Sequence, residues 1–213
     1  MRVDEVRRLL AVMPQHLPPV PREITPVALG ESDIEVPRLP SLPPSSREAA
    51  VLILIYPDEH DEANIILIER ASGDHRHAGQ VGLPGGKIDP EDESVTATAL
   101  REAREEIALD PEQAGLQIVG VLPVFDVRVS GFLVHPVVAV AERAPELIPD
   151  GYEVVEVLTA PLAAFLPGAP IETVTAEGDG FHLRYGGYRI GRHHVWGATA
   201  MMLSRLGAYL AQA

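Results

Sequence analysis

Hydrophobic and polar positions follow two different periods along this chain, and the changes between them mark its elements. Near the start, Val6, Leu9, Leu10 and Met13 fall on one stripe of a short helix predicted over residues 3 to 13. Prolines then crowd "MPQHLPPVPREITPV" and "VPRLPSLPPSS". Each fixes φ and removes an amide donor, so residues 14 to 45 are expected to be extended and irregular. From Ser46 the texture changes. The runs "AAVLILIYP" and "NIILIER" read as two buried strands joined by the acidic turn "DEHDEA". The segment that follows, "ASGDHRHAGQVGLPGGKIDPEDE", has little periodicity, and a loop of that length in a compact domain is usually functional or disordered.

Residues 94 to 109 carry the strongest helical pattern, with Thr96, Leu100, Ala103 and Ile107 as the expected buried stripe. Beyond them "LQIVGVLPVF", "FLVHPVVAVAE" and "EVVEVLTAPL" read as strands. "FHLRYGGYRI" reads as a hairpin turning on Gly186-Gly187, and "VWGATAMMLSRLGAYLAQA" as a terminal helix. One long helix among several strands and a closing helix predict an α/β fold with a mixed central sheet covered on both faces. The expected organisation is an arm over residues 1–45, made of the short helix and the proline-rich stretch, followed by one domain over 46–213. The arm is expected to wrap the domain; a homodimer joined through it is the second reading.

Composition narrows the function. Formal net charge is −14, from 31 acidic and 17 basic side chains among 213 residues. Such a chain repels a nucleic-acid backbone, and an acidic protein acting on a phosphorylated substrate needs cations to reverse the local sign. The absence of cysteine excludes disulfides, thiolate metal sites and a cysteine nucleophile. "LLAVM" before Pro14 is too short for a secretory apolar core, and no run approaches the roughly 20 residues of a membrane span. The expectation is a soluble cytoplasmic protein that binds neither nucleic acid nor membrane.

Within "ALREAREEIAL", Glu102, Glu105 and Glu106 stand at i, i+3 and i+4, which places them on one face, expected to lie opposite Leu100, Ala103 and Ile107. A bare "REAREE" is ordinarily a solvated surface. The preceding "LPGGKIDPED" favours a platform for hard divalent cations, since Gly85 and Gly86 allow a sharp turn and a close carbonyl. Near misses fall away: a P-loop needs glycine and Ser or Thr where Val81 and Ile88 stand, and neither G-x-G-x-x-G nor G-x-S-x-G occurs.

Taken together, "GGKIDPEDESVTATALREAREEIAL" resembles the Nudix box, a glycine followed by a carboxylate and then R-E-x-x-E-E on a helix. Gly86, Asp92, Arg101, Glu102, Glu105 and Glu106 match it. Asp92 replaces the usual glutamate with one extra residue before Arg101, or else Glu93 takes that role; Ala108 stands where the box has glycine. Upstream, "ILIERASGDHRHAGQVGLPGG" looks like the element marking the coenzyme A pyrophosphatase branch. Arg70, Ala71, Gly79, Pro84, Gly85 and Gly86 match, while Ile68, His75 and Leu83 depart from it. "GVLPVFD", "HPVVAV", "EVVEVLTAPL" and "VWGATA" look like that branch's later blocks, so the resemblance covers roughly residues 50 to 205.

The resemblance implies a Nudix-type α/β/α sandwich with a catalytic loop-helix-loop. It also implies hydrolysis of a pyrophosphate bond with Mg²⁺ or Mn²⁺, cutting coenzyme A or a derivative into adenosine 3′,5′-bisphosphate and 4′-phosphopantetheine. Glu102 and Glu106 are expected as principal metal ligands, with Glu105 contributing and the Gly86 carbonyl completing the shell. Arg101 is expected to orient a box glutamate. The general base is a box carboxylate, with Glu105 as its candidate, or Glu153 from the later loop; the latter reads equally well as a strand-edge carboxylate. Arg70, His75, Arg76 and His77 are candidates for substrate phosphate, although His75 and His77 read also as ordinary loop histidines. Shared metal binding by His193 and His194 is disfavoured because neighbours on a strand point to opposite faces. Trp196 is expected to pack the terminal helix rather than to stack on an adenine. ADP-ribose or a damaged nucleotide is the rival substrate, and a non-catalytic nucleotide-binding module the rival class.

Overall fold

Burial on both faces explains why "AVLILI" shows no alternation: Ile53 and Ile55 enter one apolar core while Leu52 and Leu54 enter another on the opposite side. The computed structural model describes residues 1–29, 46–73, 79–127, 130–178 and 181–212. In chain order the elements are α1 (Val3–Leu9), β1 (Val27–Leu29), β2 (Arg47–Pro57), β3 (Ala63–Arg70), β4 (Val81–Gly82), β5 (Gly85–Lys87), α2 (Val95–Ile107) and α3 (Pro111–Ala114). There follow β6 (Gln117–Val121), β7 (Phe125–Val127), β8 (Phe132–Val140), β9 (Val154–Pro161), a 3-10 turn Leu162–Phe165, β10 (Glu172–Gly178), β11 (Phe181–Ile190), β12 (His193–Trp196) and α4 (Gly197–Gln212).

The larger sheet is mixed. β2 and β8 run parallel from Arg47↔Phe132 to Ile55↔Val140, and every other pairing is antiparallel. Helix α2 covers one face through Ala99, Ala103 and Ile107. The other face is covered by α1, α4 and a second sheet in the order β1-β11-β10, with β12 paired to β11. The fold is α/β with a mixed sheet between layers, as the patterning predicts. No helix among the described residues is long and apolar enough to cross a membrane.

One feature of the sheet positions the site. β2 and β3 pair only near their turn, at Ile55↔Ile65, Tyr56↔Asn64 and Pro57↔Ala63. Beyond that they splay. β4 bonds β3 at Ile68↔Gly82 and Glu69↔Val81, while β5 bonds β2 from Val51↔Gly85 to Ala49↔Lys87. The glycine-rich segment therefore sits in the fork, tied to both arms. The Leu52 amide donates to the Pro84 carbonyl at 2.8 Å and the Arg70 amide to that of Gln80 at 3.0 Å. Gly85 has φ 147°, and a Cβ there would lie 2.3 Å from the Ala50 carbonyl oxygen, so no other residue fits this turn.

Two expectations change. Val27–Leu29 pairs with β11 instead of running irregularly, and residues 30–45 lie outside the described ones. The N-terminal segment packs against α4: Arg205 donates to the Pro18 and Leu17 carbonyls and the Tyr209 hydroxyl to that of Val12. Gly186 and Gly187 lie inside one continuous strand, β11, not at a hairpin turn. Their lack of side chains admits the Glu23 and Val195 carbonyls, each of which would sit 2.3 Å from an added Cβ.

Candidate functional site

Helix α2 is set by local chemistry at both ends. The Ser94 hydroxyl accepts the Ala97 amide at 3.1 Å, a cap worth about 1 kcal/mol. At the other end Ala108 adopts φ 53°, the left-handed conformation glycine ordinarily supplies. That is the physical meaning of the glycine in the box pattern; alanine holds the same turn here under strain.

The buried arc of α2 differs from the expected stripe. Thr98 and Ala99 are buried with Ala103 and Ile107, whereas Thr96 and Leu100 are only half-buried. The arc is turned toward Glu106, which stands three residues after Ala103 and so falls at its edge. The three glutamates consequently do not share one solvated face. The Glu105 side chain is 60% exposed, that of Glu102 16% and that of Glu106 3%.

Glu106 is the most unusual group. Its Oε2 accepts the Gly85 amide at 2.8 Å, Oε1 lies 3.6 Å from an Arg70 guanidinium nitrogen, and Oε1 is buried without a hydrogen-bond partner. Burial pushes its pKa up to about 7, against the lowering effect of the Gly85 amide and Arg70. Glu102 is also shifted upward, mainly by burial. Its carboxylate lies against Gly86, where an added Cβ would stand 2.5 Å from it.

Arg101 ties loop and helix together. Its Nε and Nη2 donate to the two carboxylate oxygens of Asp92 at 3.0 and 2.9 Å, Nη1 to Glu102 at 2.9 Å and Glu105 at 3.2 Å, and Nη2 to the Lys87 carbonyl at 3.2 Å. Asp92 also accepts from the Asp89 amide and the Thr98 hydroxyl. Bonded chiefly to Arg101, it is held well below the usual carboxylate range. Asp92, not the exposed Glu93, therefore meets the arginine.

The loop before β9 reaches the same place. The Asp150 amide donates to the Glu106 carbonyl at 2.9 Å, and the Asp150 carboxylate accepts the amides of Tyr152, Glu153 and Val154. This turn carries Glu153 to the edge of a cavity of about 860 Å³, also lined by Arg70, Gly85, Gly86 and Trp196. The Glu153 charge raises the pKa of both Glu102 and Glu106. The structure thus gathers Arg70, Gly86, Arg101, Glu102, Glu105, Glu106 and Glu153. His75, Arg76 and His77 lie outside the described residues.

These residues fit a hard divalent cation. A buried carboxylate oxygen lacks a hydrogen bond among the described residues, a second carboxylate rests in the space a side chain at Gly86 would fill, and the donors are oxygens. A different His and carboxylate group was missed in the sequence: Glu69, Glu156 and His193, whose ligand atoms lie within 4.8 Å of one another. Glu69 shares the sheet face of Leu67, away from α2. Arg192 lies 2.6 Å from Glu156 and 3.6 Å from Glu69, so a cation already bridges these carboxylates. No sequence spacing announces this group, because three separate strands bring it together.

Trp196 corrects another expectation. Its indole packs on Tyr185 and lines the cavity instead of being buried under α4, which begins at the next residue.

A splayed mixed sheet, a glycine turn in its fork and a carboxylate-bearing helix behind that turn are the architecture of a Nudix protein. Residues 46–172 match the family model of the NUDIX domain, and the chain belongs to that family. The chain is 35% identical over 168 residues to the uncharacterized Nudix hydrolase NudL of Cronobacter sakazakii, covering 79% of this chain and 85% of that protein. Against the protein of the same name from Pectobacterium atrosepticum it is 44% identical over 125 residues, covering 58% of this chain and 62% of the relative. Among solved structures it is similar to the Nudix hydrolase RenU from M. smegmatis, at 21% identity and a TM-score of 0.47, over 65% of this chain and 80% of that one. The chain is thus a Nudix hydrolase of nucleoside diphosphate derivatives, a family that uses divalent metals.

Proposed function

We propose that this hydrolase cleaves the pyrophosphate of coenzyme A, releasing adenosine 3′,5′-bisphosphate and 4′-phosphopantetheine, with Mg²⁺ or Mn²⁺. The observation that carries the hydrolytic reading is the buried Glu106 Oε1, 3.6 Å from Arg70 and without a hydrogen-bond partner among the described residues, beside the Gly85-Gly86 turn that borders a cavity large enough for a bulky nucleotide. The coenzyme A assignment rests on the element from Ile66 to Gly86, which resembles that branch.

Glu102 and Glu106 are the principal cation ligands in this reading, with Glu105 contributing and the Gly86 carbonyl completing the set. Divalent cations held by these residues would supply charge neutralisation at the pyrophosphate and a more acidic attacking water. Arg101 holds Glu102 and Glu105 in place from its anchor on Asp92. Arg70, on the cavity wall, binds substrate phosphate, joined by His75, Arg76 and His77. Glu153 takes the proton of the attacking water, for which its exposed carboxylate at the cavity edge is suited.

Mass spectrometry of a coenzyme A digest with Mg²⁺ tests the reaction, with the bisphosphate and phosphopantetheine as expected products. Faster turnover of ADP-ribose or a nucleoside triphosphate moves the substrate assignment. Near-wild-type hydrolysis by both Glu102→Gln and Glu106→Gln at saturating metal overturns the ligand assignment.

A further inference from the structure

Trp196 projects from the last residue of β12, opposite Gly187 of β11. Because Gly187 has no side chain, the indole is supported diagonally by Tyr185, with ring centroids 4.4 Å apart and planes inclined by 31°. Tyr185 in turn lies 5.9 Å from the His194 ring, so three rings form a row on this face of the second sheet. The indole is only half-buried and forms part of the wall of the cavity that also contains Gly85, Gly86 and Arg70. Leu83, Phe132 and Met202 add apolar wall. A tryptophan backed by another ring has its orientation set before a ligand arrives, which lowers the entropy cost of using it as a contact.

We propose that Trp196, propped on Tyr185, is the stacking platform for the purine base of the substrate, placing the base on the second sheet while the pyrophosphate lies at Gly86. The proposal deepens the coenzyme A reading and rests on it for the identity of the ligand. A flat indole face favours a planar base over an aliphatic pantetheine arm, because offset stacking rewards matched π surfaces beyond the area they bury. Stacking is tolerant of base identity, so this platform selects for a base as such.

Trp196 is the only tryptophan of the chain, so its fluorescence reports this contact directly. The full-length protein is titrated with adenosine 3′,5′-bisphosphate and, separately, with 4′-phosphopantetheine, exciting at the red edge of the indole band. Saturable quenching by the bisphosphate and none by phosphopantetheine is the expected result. Trp196→Phe should keep KM for coenzyme A within a few-fold of wild type, whereas Trp196→Ala should raise it about tenfold with little change in kcat. Quenching by phosphopantetheine alone, or by neither compound while coenzyme A is still hydrolysed, overturns the platform. Quenching by the bisphosphate in a protein that does not hydrolyse coenzyme A leaves the platform standing and removes the substrate assignment.

Discussion

The Gly85 amide and the Glu106 carboxylate meet at 2.8 Å across the boundary between the glycine turn and α2, and this bond satisfies only one of the two carboxylate oxygens. A buried acid in that state is costly to ionise without a cation, and it links protonation, metal and stability. The first prediction follows from that link. Glu106 has a pKa near 7 in the fold against an ordinary 4.5, so between those values the folded protein keeps a proton that the unfolded chain has lost. Metal-free stability should therefore fall as pH rises from about 4.5 to 7, by at most about 3 kcal/mol from this group. Denaturant unfolding in chelator across that range checks it; Glu106→Gln should flatten the slope and Mg²⁺ should restore stability at the alkaline end.

Ala108 offers a gain in stability without loss of function. Its φ of 53° strains any side chain, so Ala108→Gly should raise stability by about 1 kcal/mol. A thermal melt reads the shift, and kcat should not change.

Arg101 is not among the described residues that line the cavity, yet it holds Asp92, Glu102 and Glu105. Arg101→Lys cannot make the forked pair to Asp92. Metal titration and kinetics should show cation affinity lowered by about 10- to 100-fold, with activity partly recovered at high Mn²⁺.

Glu153 separates two roles by one experiment. As the group taking the water's proton, Glu153→Gln should lower kcat by roughly 100-fold or more while metal affinity changes little. A strand-edge carboxylate would leave kcat intact, and the pH-rate profile of the variant distinguishes the cases.

Much of the fold was legible because burial on two faces writes long apolar runs, as in Val51–Tyr56 and Ile65–Ile68. Helix α2 was legible from its helical period, although its buried arc is turned toward Glu106. The environments of its glutamates were not. Glu102, Glu105 and Glu106 look alike in sequence, and only the fork between β2 and β3, which brings Gly85 over α2, makes one of them buried and half-satisfied. Glycine misled in β11, where Gly186 and Gly187 serve close backbone approach instead of a turn. Trp196 was read as core because its aromatic support, Tyr185, lies on the neighbouring strand.

The fork also divides labour within the molecule. The glutamates stand behind Gly85 and Gly86 on the α2 side, inside the segment that matches the family domain. The aromatic row stands on strands β11 and β12, beyond its end at residue 172. In the proposed reading, metal chemistry and base stacking would be housed in separate layers, both bordering the cavity that Gly85 and Gly86 help to line. Exchanging the outer layer offers a route to new ligands that leaves the hydrolytic machinery untouched.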